Sequence, residues 1–378
     1  MPKRVLYILS NAELGGVERL TLMMVRGHDP SRYQPILLFL NRGSLVDELR
    51  GRGVPTHSLD APLRLRNPYQ VGRAARRCAA IIRSEGIDLV HACSSYSHVI
   101  GSLAASATGR PCVLFQHGPV GGWIDRVASL LPASHVLVNS RYTGRCQSRV
   151  SLRRWPLSVL YGATDFHLTP EEEMRHRRAM NEAHGIDEST LVIGMMGLFY
   201  PWKGFDVALH AASPVMRRHP HMRFFVIGDE YGHFSPGYSA YLRRIASEER
   251  LEDRIVFAGF QRDVIPWLAR LDIVVHASKS PEPLGMVILE GMAAGKAVIA
   301  SRAGGPLEII TDNLDGVFHE PGDARDLERR IEELAGDAAR RAALGASARR
   351  TIATRFSPDV MEAGLESLYE RLLSSDGG

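Results

Sequence analysis

The chain runs twice through one rhythm, a short apolar run followed by a helix-patterned stretch, and the second series starts afresh after a charged, proline-containing segment. In the first half the apolar runs are RVLYILS, QPILLFL, IDLVHA, PCVLFQH, HVLVNS and LSVLYG, with helical patterns such as GGVERLTLMMVRG between them. In the second half they are TLVIGMMGLF, MRFFVIGD, RIVFAGF, DIVVHAS and KAVIAS. Runs that are apolar throughout suit strands buried on both faces, and strands alternating with helices build parallel, doubly wound sheets. The fold class is therefore α/β, with two doubly wound domains. The segment TDFHLTPEEEMRHRR sets the boundary near residue 168, giving an N-terminal domain of residues 1–168 and a C-terminal domain from 169.

Open α/β sheets bind ligands at the carboxyl ends of their strands, so two of them predict a site in a cleft between the domains. Gly15-Gly16, His117, Gly197 to Lys203, Asp229 and Glu282 each stand just after a predicted strand. The stretch KSPEPLGMVILE (279–290) is the most informative of these places. Two prolines stop the preceding strand, and a helix begins near Leu284 to Met286, offering free backbone N–H groups and a positive dipole end to an anion. Glu290 lies about 9 Å along the axis from Leu284, at 1.5 Å per residue. A ligand with an anionic middle can then meet Glu282 at one end and Glu290 at the other, and a nucleoside diphosphate sugar has that shape. Spacing alone does not single this pair out, since Glu320/Glu328 and Glu362/Glu370 share it. The strand, turn and helix around Glu282 and Glu290 do.

Gly15-Gly16 opens a helix after the first strand, where missing side chains let backbone approach a phosphate or simply allow a tight turn. No G-x-G-x-x-G follows any predicted strand, which argues against nicotinamide or flavin binding. Lys203 is one of four lysines set against 42 arginines. A lysine kept for its compact charge, after a strand and before a helix, suits a diphosphate, the alternative being a solvated residue. His117 ends a strand and enters a glycine-rich loop, as a structural or a functional histidine. Gly304-Gly305 is a second phosphate-facing turn or a packing contact.

The net charge of +4 conceals an asymmetry: residues 1–168 hold 21 Lys and Arg against 10 Asp and Glu, and the remainder holds 25 against 32. A basic first half fits an anionic partner, and RLRNPYQVGRAARRCAAIIR reads as an interfacial helix on an anionic membrane surface. Nucleic acid is disfavoured because aromatic residues do not interleave with the basic run. Metal is not expected, since H-x-x-x-H and His/Cys clusters are absent, and the four widely spaced cysteines suit reduced thiols. The apolar run VLYIL is too short for a signal peptide or a membrane span, so the expected location is cytoplasmic, at the inner face of the membrane.

Together these segments resemble the retaining, GT-B-fold glycosyltransferases of family four, named for an E-x7-E motif. The resemblance spans nearly the whole chain and is carried by ELGGVER, FQHG, VNS, GLFYPWKG, FVIGDE, FAGF, EPLGMVILEGMAAGKAVIAS, AGGPLEII and FSPDVMEAGLESLYERLL. It implies two Rossmann-like domains facing across a cleft, an acceptor-binding domain of 1–168 plus 356–378 and a donor-binding domain of 169–355, with the C-terminal helix crossing back. It further implies that Glu282 and the amides of Leu284, Gly285 and Met286 hold the donor sugar, and that Glu290 binds the ribose. Gly15, Gly16, Gly197 and Lys203 would serve the diphosphate, Asp229 would line the donor site, Phe260 and Gln261 would face the base, and His117 would hold a sugar hydroxyl.

The implied reaction moves a hexose-type sugar from a UDP- or GDP-linked donor to a hydroxyl of a lipid-linked glycan or small acceptor, with no metal or other cofactor. The alternatives are a nucleotide-sugar epimerase of the same architecture and a non-catalytic nucleotide-sugar-binding subunit. Two positions depart from the family pattern. Leu198 replaces an arginine beside Gly197, with Arg302 as a candidate substitute, and Gly162-Ala163-Thr164-Asp165 replaces Asn-Gly after the last strand of the first domain.

Overall fold

A computed structural model describes residues 1–59, 63–230 and 235–374, in two compact units. The first unit comprises Met1–Ala163 and Ser357–Gly378, the second Thr164–Phe356. In the first, strands β1 (Lys3–Leu9), β2 (Tyr33–Phe39), β3 (Thr56–Ser58), β4 (Leu89–Ala92), β5 (Cys112–Gln116), β6 (His135–Val138) and β7 (Leu157–Val159) alternate with helices. These are α1 (Gly16–Gly27), α2 (Ser44–Gly51), α3 (Pro68–Ser84), α4 (Ser95–Ser106), α5 (Trp123–Leu130) and α6 (Arg141–Val150). The sheet order is β3-β2-β1-β4-β5-β6-β7, parallel throughout.

The second unit opens with α7 (Pro170–His184) and continues through β8 (Leu191–Met196), α8 (Phe205–Arg218), β9 (Met222–Ile227), α9 (Tyr238–Glu248), β10 (Ile255–Gly259) and α10 (Ile265–Arg270). It is completed by β11 (Ile273–His276), α11 (Met286–Ala293), β12 (Ala297–Ser301), α12 (Pro306–Ile309), β13 (Val317–His319), α13 (Ala324–Ala335) and α14 (Ala338–Arg355). Its sheet order is β10-β9-β8-β11-β12-β13, again parallel. The last helix, α15 (Pro358–Ser374), returns to the first unit.

Burial explains why the strands read as unbroken apolar runs. Alternate residues of β1 serve opposite faces of the sheet. Val5, Tyr7 and Leu9 pack with Leu20 and Met24 of α1 and with Met361, Leu365 and Tyr369 of α15, while Leu6 and Ile8 pack with Cys78 and Ile82 of α3 and Ile100 of α4. With both faces covered, neither can be polar.

The same contacts correct the reading of the basic helix. The apolar side of α3 (Ala74, Cys78, Ala79, Ile82) is buried in the unit's own core, so it has no apolar face left to insert into a membrane. Its arginines 73, 76 and 77 are exposed around that buried stripe. A core-packing amphipathic helix and an interfacial one share a sequence pattern, and the sheet beneath decides between them.

Strand order reverses between β1 and β4 in the first unit and between β8 and β11 in the second. Loops leaving the two strands on either side of a reversal diverge to opposite faces and open a crevice at their carboxyl ends. In the second unit those two loops are 197–204 and 277–285.

Candidate functional site

These two loops bring Lys203 and Glu282 into contact. Lys203 closes a 3₁₀ turn (Pro201–Lys203) after β8, and Glu282 lies six residues past the end of β11. Lys203 Nζ donates to Glu282 Oε1 at 2.6 Å and rests 4.6 Å above the Trp202 ring. Glu282 Oε2 receives His276 Nε2 at 2.6 Å and Ser278 Oγ at 3.0 Å. The His276 tautomer is fixed from behind: Nδ1 accepts the Ser301 N–H (3.4 Å), which leaves the ring proton on Nε2, facing the carboxylate. Ser301 Oγ and His319 Nε2 both bond the His276 carbonyl, each at 3.2 Å.

Glu282 is 7% exposed. Burial alone would raise its pKa, but the Lys203 charge and the hydrogen bonds from His276 and Lys203 outweigh it and hold the carboxyl well below the usual range. A carboxylate with a depressed folded pKa contributes stability above its unfolded pKa, about 4.3 for Glu, and loses it as pH falls toward the folded value. Glu282→Gln should therefore flatten part of the acid limb of a stability-versus-pH curve below about pH 4.3, as read from urea midpoints. An unchanged limb would mean that Glu282 is not held ionised.

The backbone around Glu282 is clamped. Gly305 N–H donates to the Glu282 carbonyl at 2.8 Å, and a Cβ on Gly304 would come within 2.3 Å of that oxygen. Gly304-Gly305 is thus a packing contact, and the Gly305 amide is not available to a phosphate. Helix α11 starts at Met286, within the stretch where the sequence places a helix N-terminus. Gly285 is its N-cap at φ +102, with no side-chain cap, and Leu284 and Gly285 are buried while Met286 is partly exposed. Glu290 sits on α11, half-buried.

Gly197 follows β8, and its amide bonds the Ile227 carbonyl at the end of β9 (3.0 Å). Asp229 is exposed after β9, where its carbonyl accepts the Phe199 N–H at 2.9 Å. Phe260, 56% exposed, and Gln261, whose Nε2 bonds the Ala258 carbonyl at 2.7 Å, follow the edge strand β10. Leu198 is half-exposed in the 197–204 loop. Arg302, the candidate substitute for the missing arginine, pairs with Asp312 (2.6 Å) and Glu320 (3.4 Å).

In the first unit, Gly15 and Gly16 have different surroundings. A Cβ on Gly15 would meet Glu18 Oε2 at 2.8 Å, whereas one on Gly16 would meet nothing within 4 Å. The Glu18 carboxylate is the far end of a flexible side chain and can move aside, so no fixed packing contact accounts for either glycine. His117 follows β5, 9% exposed, with its ring packed on Phe115 at 3.8 Å between centroids. Neither ring nitrogen has a hydrogen-bond partner among the described residues. Burial pushes its pKa down to about 3, so the imidazole is neutral near pH 7, with one donor and one acceptor unspent. Asn139 Nδ2 holds the His117 carbonyl at 2.8 Å, and Asp125 pins the loop beyond it by accepting from Gly121 and Gly122, each at 2.9 Å.

Sequence reasoning missed His276 and Ser278. His276 left a visible trace, a polar residue inside the apolar run DIVVHAS.

Residues 14–168 match the family described as Glycosyltransferase Family 4, and residues 176–351 match the family described as Glycosyl transferases group 1. The lipopolysaccharide core biosynthesis glycosyltransferase LpsE of Rhizobium meliloti (strain 1021) is 32% identical over 184 residues, covering 49% of this chain and 50% of that protein. The chain thus spans about half the length of that relative. The GDP-mannose-dependent monoacylated alpha-(1-6)-phosphatidylinositol monomannoside mannosyltransferase of Corynebacterium glutamicum is 27% identical over 321 residues, 78% of this chain and 80% of that one. Among solved structures, Anabaena Alr3699/HepE in complex with UDP-glucose shares the fold, with a TM-score of 0.83 at 24% identity over 97% of this chain and 99% of that one. Among the described residues no helix is long and apolar enough to cross a membrane. With both halves matched by glycosyltransferase families and two parallel-sheet α/β units of the GT-B type, the chain belongs to the GT-B-fold glycosyltransferases of family four.

Proposed function

We propose that this protein transfers a hexose-type sugar from a UDP- or GDP-linked donor to a hydroxyl of a glycan acceptor, lipid-linked or small, with retention of configuration and without a metal or other cofactor. The observation that carries the reading is the partly buried Lys203–Glu282 contact at the strand-order reversal of the second sheet. In it Lys203 exchanges the carboxylate for the donor's diphosphate, and Glu282, held by His276 and Ser278, turns a free oxygen to the sugar hydroxyls. The open N-terminus of α11 adds backbone N–H groups where negative charge develops on the leaving phosphate. In the first unit, Gly16, with open space at its Cα, lets backbone approach a phosphate. The neutral His117 ring supplies a hydrogen bond to a sugar hydroxyl. No carboxylate need attack the sugar: the departing phosphate oxygen takes the acceptor proton on the face it leaves, and the new bond forms there.

The acceptor class is supported by the basic first half and by relatives named for lipopolysaccharide core and phosphatidylinositol mannoside synthesis. The basic surface would also place the protein at the cytoplasmic face of an anionic membrane.

A thermal-shift screen of UDP- and GDP-sugars tests the donor. One donor at 100 times its Kd should stabilise the fold by about 2.7 kcal/mol. That donor with an acceptor should give a product of unchanged anomeric configuration by NMR, and the donor incubated alone should yield no isomer. Isomerisation without acceptor would replace transfer by epimerisation. Absence of binding by every nucleotide sugar would overturn the donor-site assignment.

A further inference from the structure

His28, which follows α1, and Glu362 and Glu366, one turn apart on α15, present ligand atoms that all lie within 4.8 Å of one another. The four-residue spacing sets the two carboxylates on one face of α15. All three residues belong to the first unit. Nothing in the donor site uses them.

The site is built, not a surface coincidence. His28 is 5% exposed and Glu362 9%. His28 Nδ1 abuts Glu362 Oε1, but not along the direction of a ring N–H. Nδ1 and both Glu362 oxygens have no hydrogen-bond partner among the described residues. Leaving buried polar atoms unpaired is costly, and the cost falls away when a cation takes their lone pairs. The other ring nitrogen already has the partner that a ligating imidazole needs: Nε2 lies 2.6 Å from the Tyr7 hydroxyl, which Tyr369 also meets at 2.9 Å. Glu366 is partly exposed and pairs with Arg32, which also reaches Glu370, so Arg32 keeps a carboxylate partner when Glu366 is taken by the ion.

We propose that His28 Nδ1, Glu362 and Glu366 bind a divalent first-row transition ion that straps the C-terminal helix to the end of the first helix. One imidazole and two carboxylates suit Zn²⁺, with a fourth position left for water. The two carboxylates neutralise the dication, and the site is separate from the donor reaction, which proceeds without it.

The test uses the full chain stripped with a chelator, titrated with Zn²⁺ by calorimetry and with Co²⁺ by visible ligand-field absorption. Wild type should bind one ion per chain and rise in Tm with Zn²⁺. Glu366→Gln, which leaves the buried His28–Glu362 contact untouched, should weaken binding by at least about tenfold, the loss expected even of a supporting group around a metal. His28→Gln should remove the nitrogen signature from the Co²⁺ spectrum, and Glu248→Gln, on an exposed carboxylate of the second unit, should change neither readout. Absence of stoichiometric binding by wild type, or equal affinity in Glu366→Gln, overturns the proposal.

Discussion

Lys203→Ala should lower the rate of sugar transfer by about 10²–10³-fold, the effect of removing one preorganised donor from a developing oxyanion. Lys203 is the cation that the second unit aims at Glu282, and Leu198 stands where the family pattern has an arginine. The structure changes what this substitution does to the fold. The two residues form a partly buried pair, so removing one partner is not silent: losing the carboxylate and keeping the lysine is destabilising, by less than the about 3–5 kcal/mol of a fully buried pair because Lys203 keeps contact with solvent. Glu282 retains His276 and Ser278 when Lys203 is lost, so Lys203→Ala should be the milder change and Glu282→Ala the harsher.

The double variant Lys203→Ala with Glu282→Gln separates the roles. A neutral amide without a lysine buries no unpaired charge, so its urea midpoint should recover toward wild type while transfer stays lost. Initial rates and unfolding curves on the same preparations decide the matter. Near-normal turnover in Lys203→Ala would remove the pair from the reaction.

The two-sheet fold was legible in the sequence because parallel strands covered on both faces must be apolar throughout, as Val5–Leu9 and Phe224–Ile227 are. The Glu282 loop was legible for a similar reason: prolines, a strand end and a helix start fall in one short stretch. The pairing of Lys203 with Glu282 was not. Seventy-nine residues separate them, and only the strand order, which local pattern does not encode, sets their loops side by side.

The amphipathic pattern of α3 allowed a core helix and a membrane-surface helix alike, and the sheet under Cys78 and Ile82 settled it. Gly304-Gly305 could have been an anion turn, and became a packing contact once the Glu282 carbonyl was seen against it. His28 and Glu362 stand at opposite ends of the chain and meet because α15 packs beside α1, a tertiary fact with no local signature.

His117→Phe should abolish most transfer without a loss of stability, by about 10²-fold or more in kcat/KM if the ring holds a sugar hydroxyl in the transition state. The native ring keeps two buried nitrogens unpaired, and an unsatisfied buried polar group costs about 1–3 kcal/mol. Phenylalanine has a similar volume, fits the contact with Phe115, and removes that cost, so the variant's Tm should equal or exceed wild type. The pH dependence gives a second sign. The folded pKa of His117 is down to about 3, below the unfolded value of about 6.5, so its contribution is complete above 6.5 and is lost as pH falls through that window. Replacing it should make the variant less acid-sensitive than wild type between those limits, although His91 and His98, also buried and shifted down, keep part of the slope. A structural histidine predicts the reverse: a fall in Tm and little change in kcat. Stability gained where activity is lost is the mark of a group kept strained for its ligand, and it would locate the acceptor-side chemistry at the end of β5 independently of the Lys203 result.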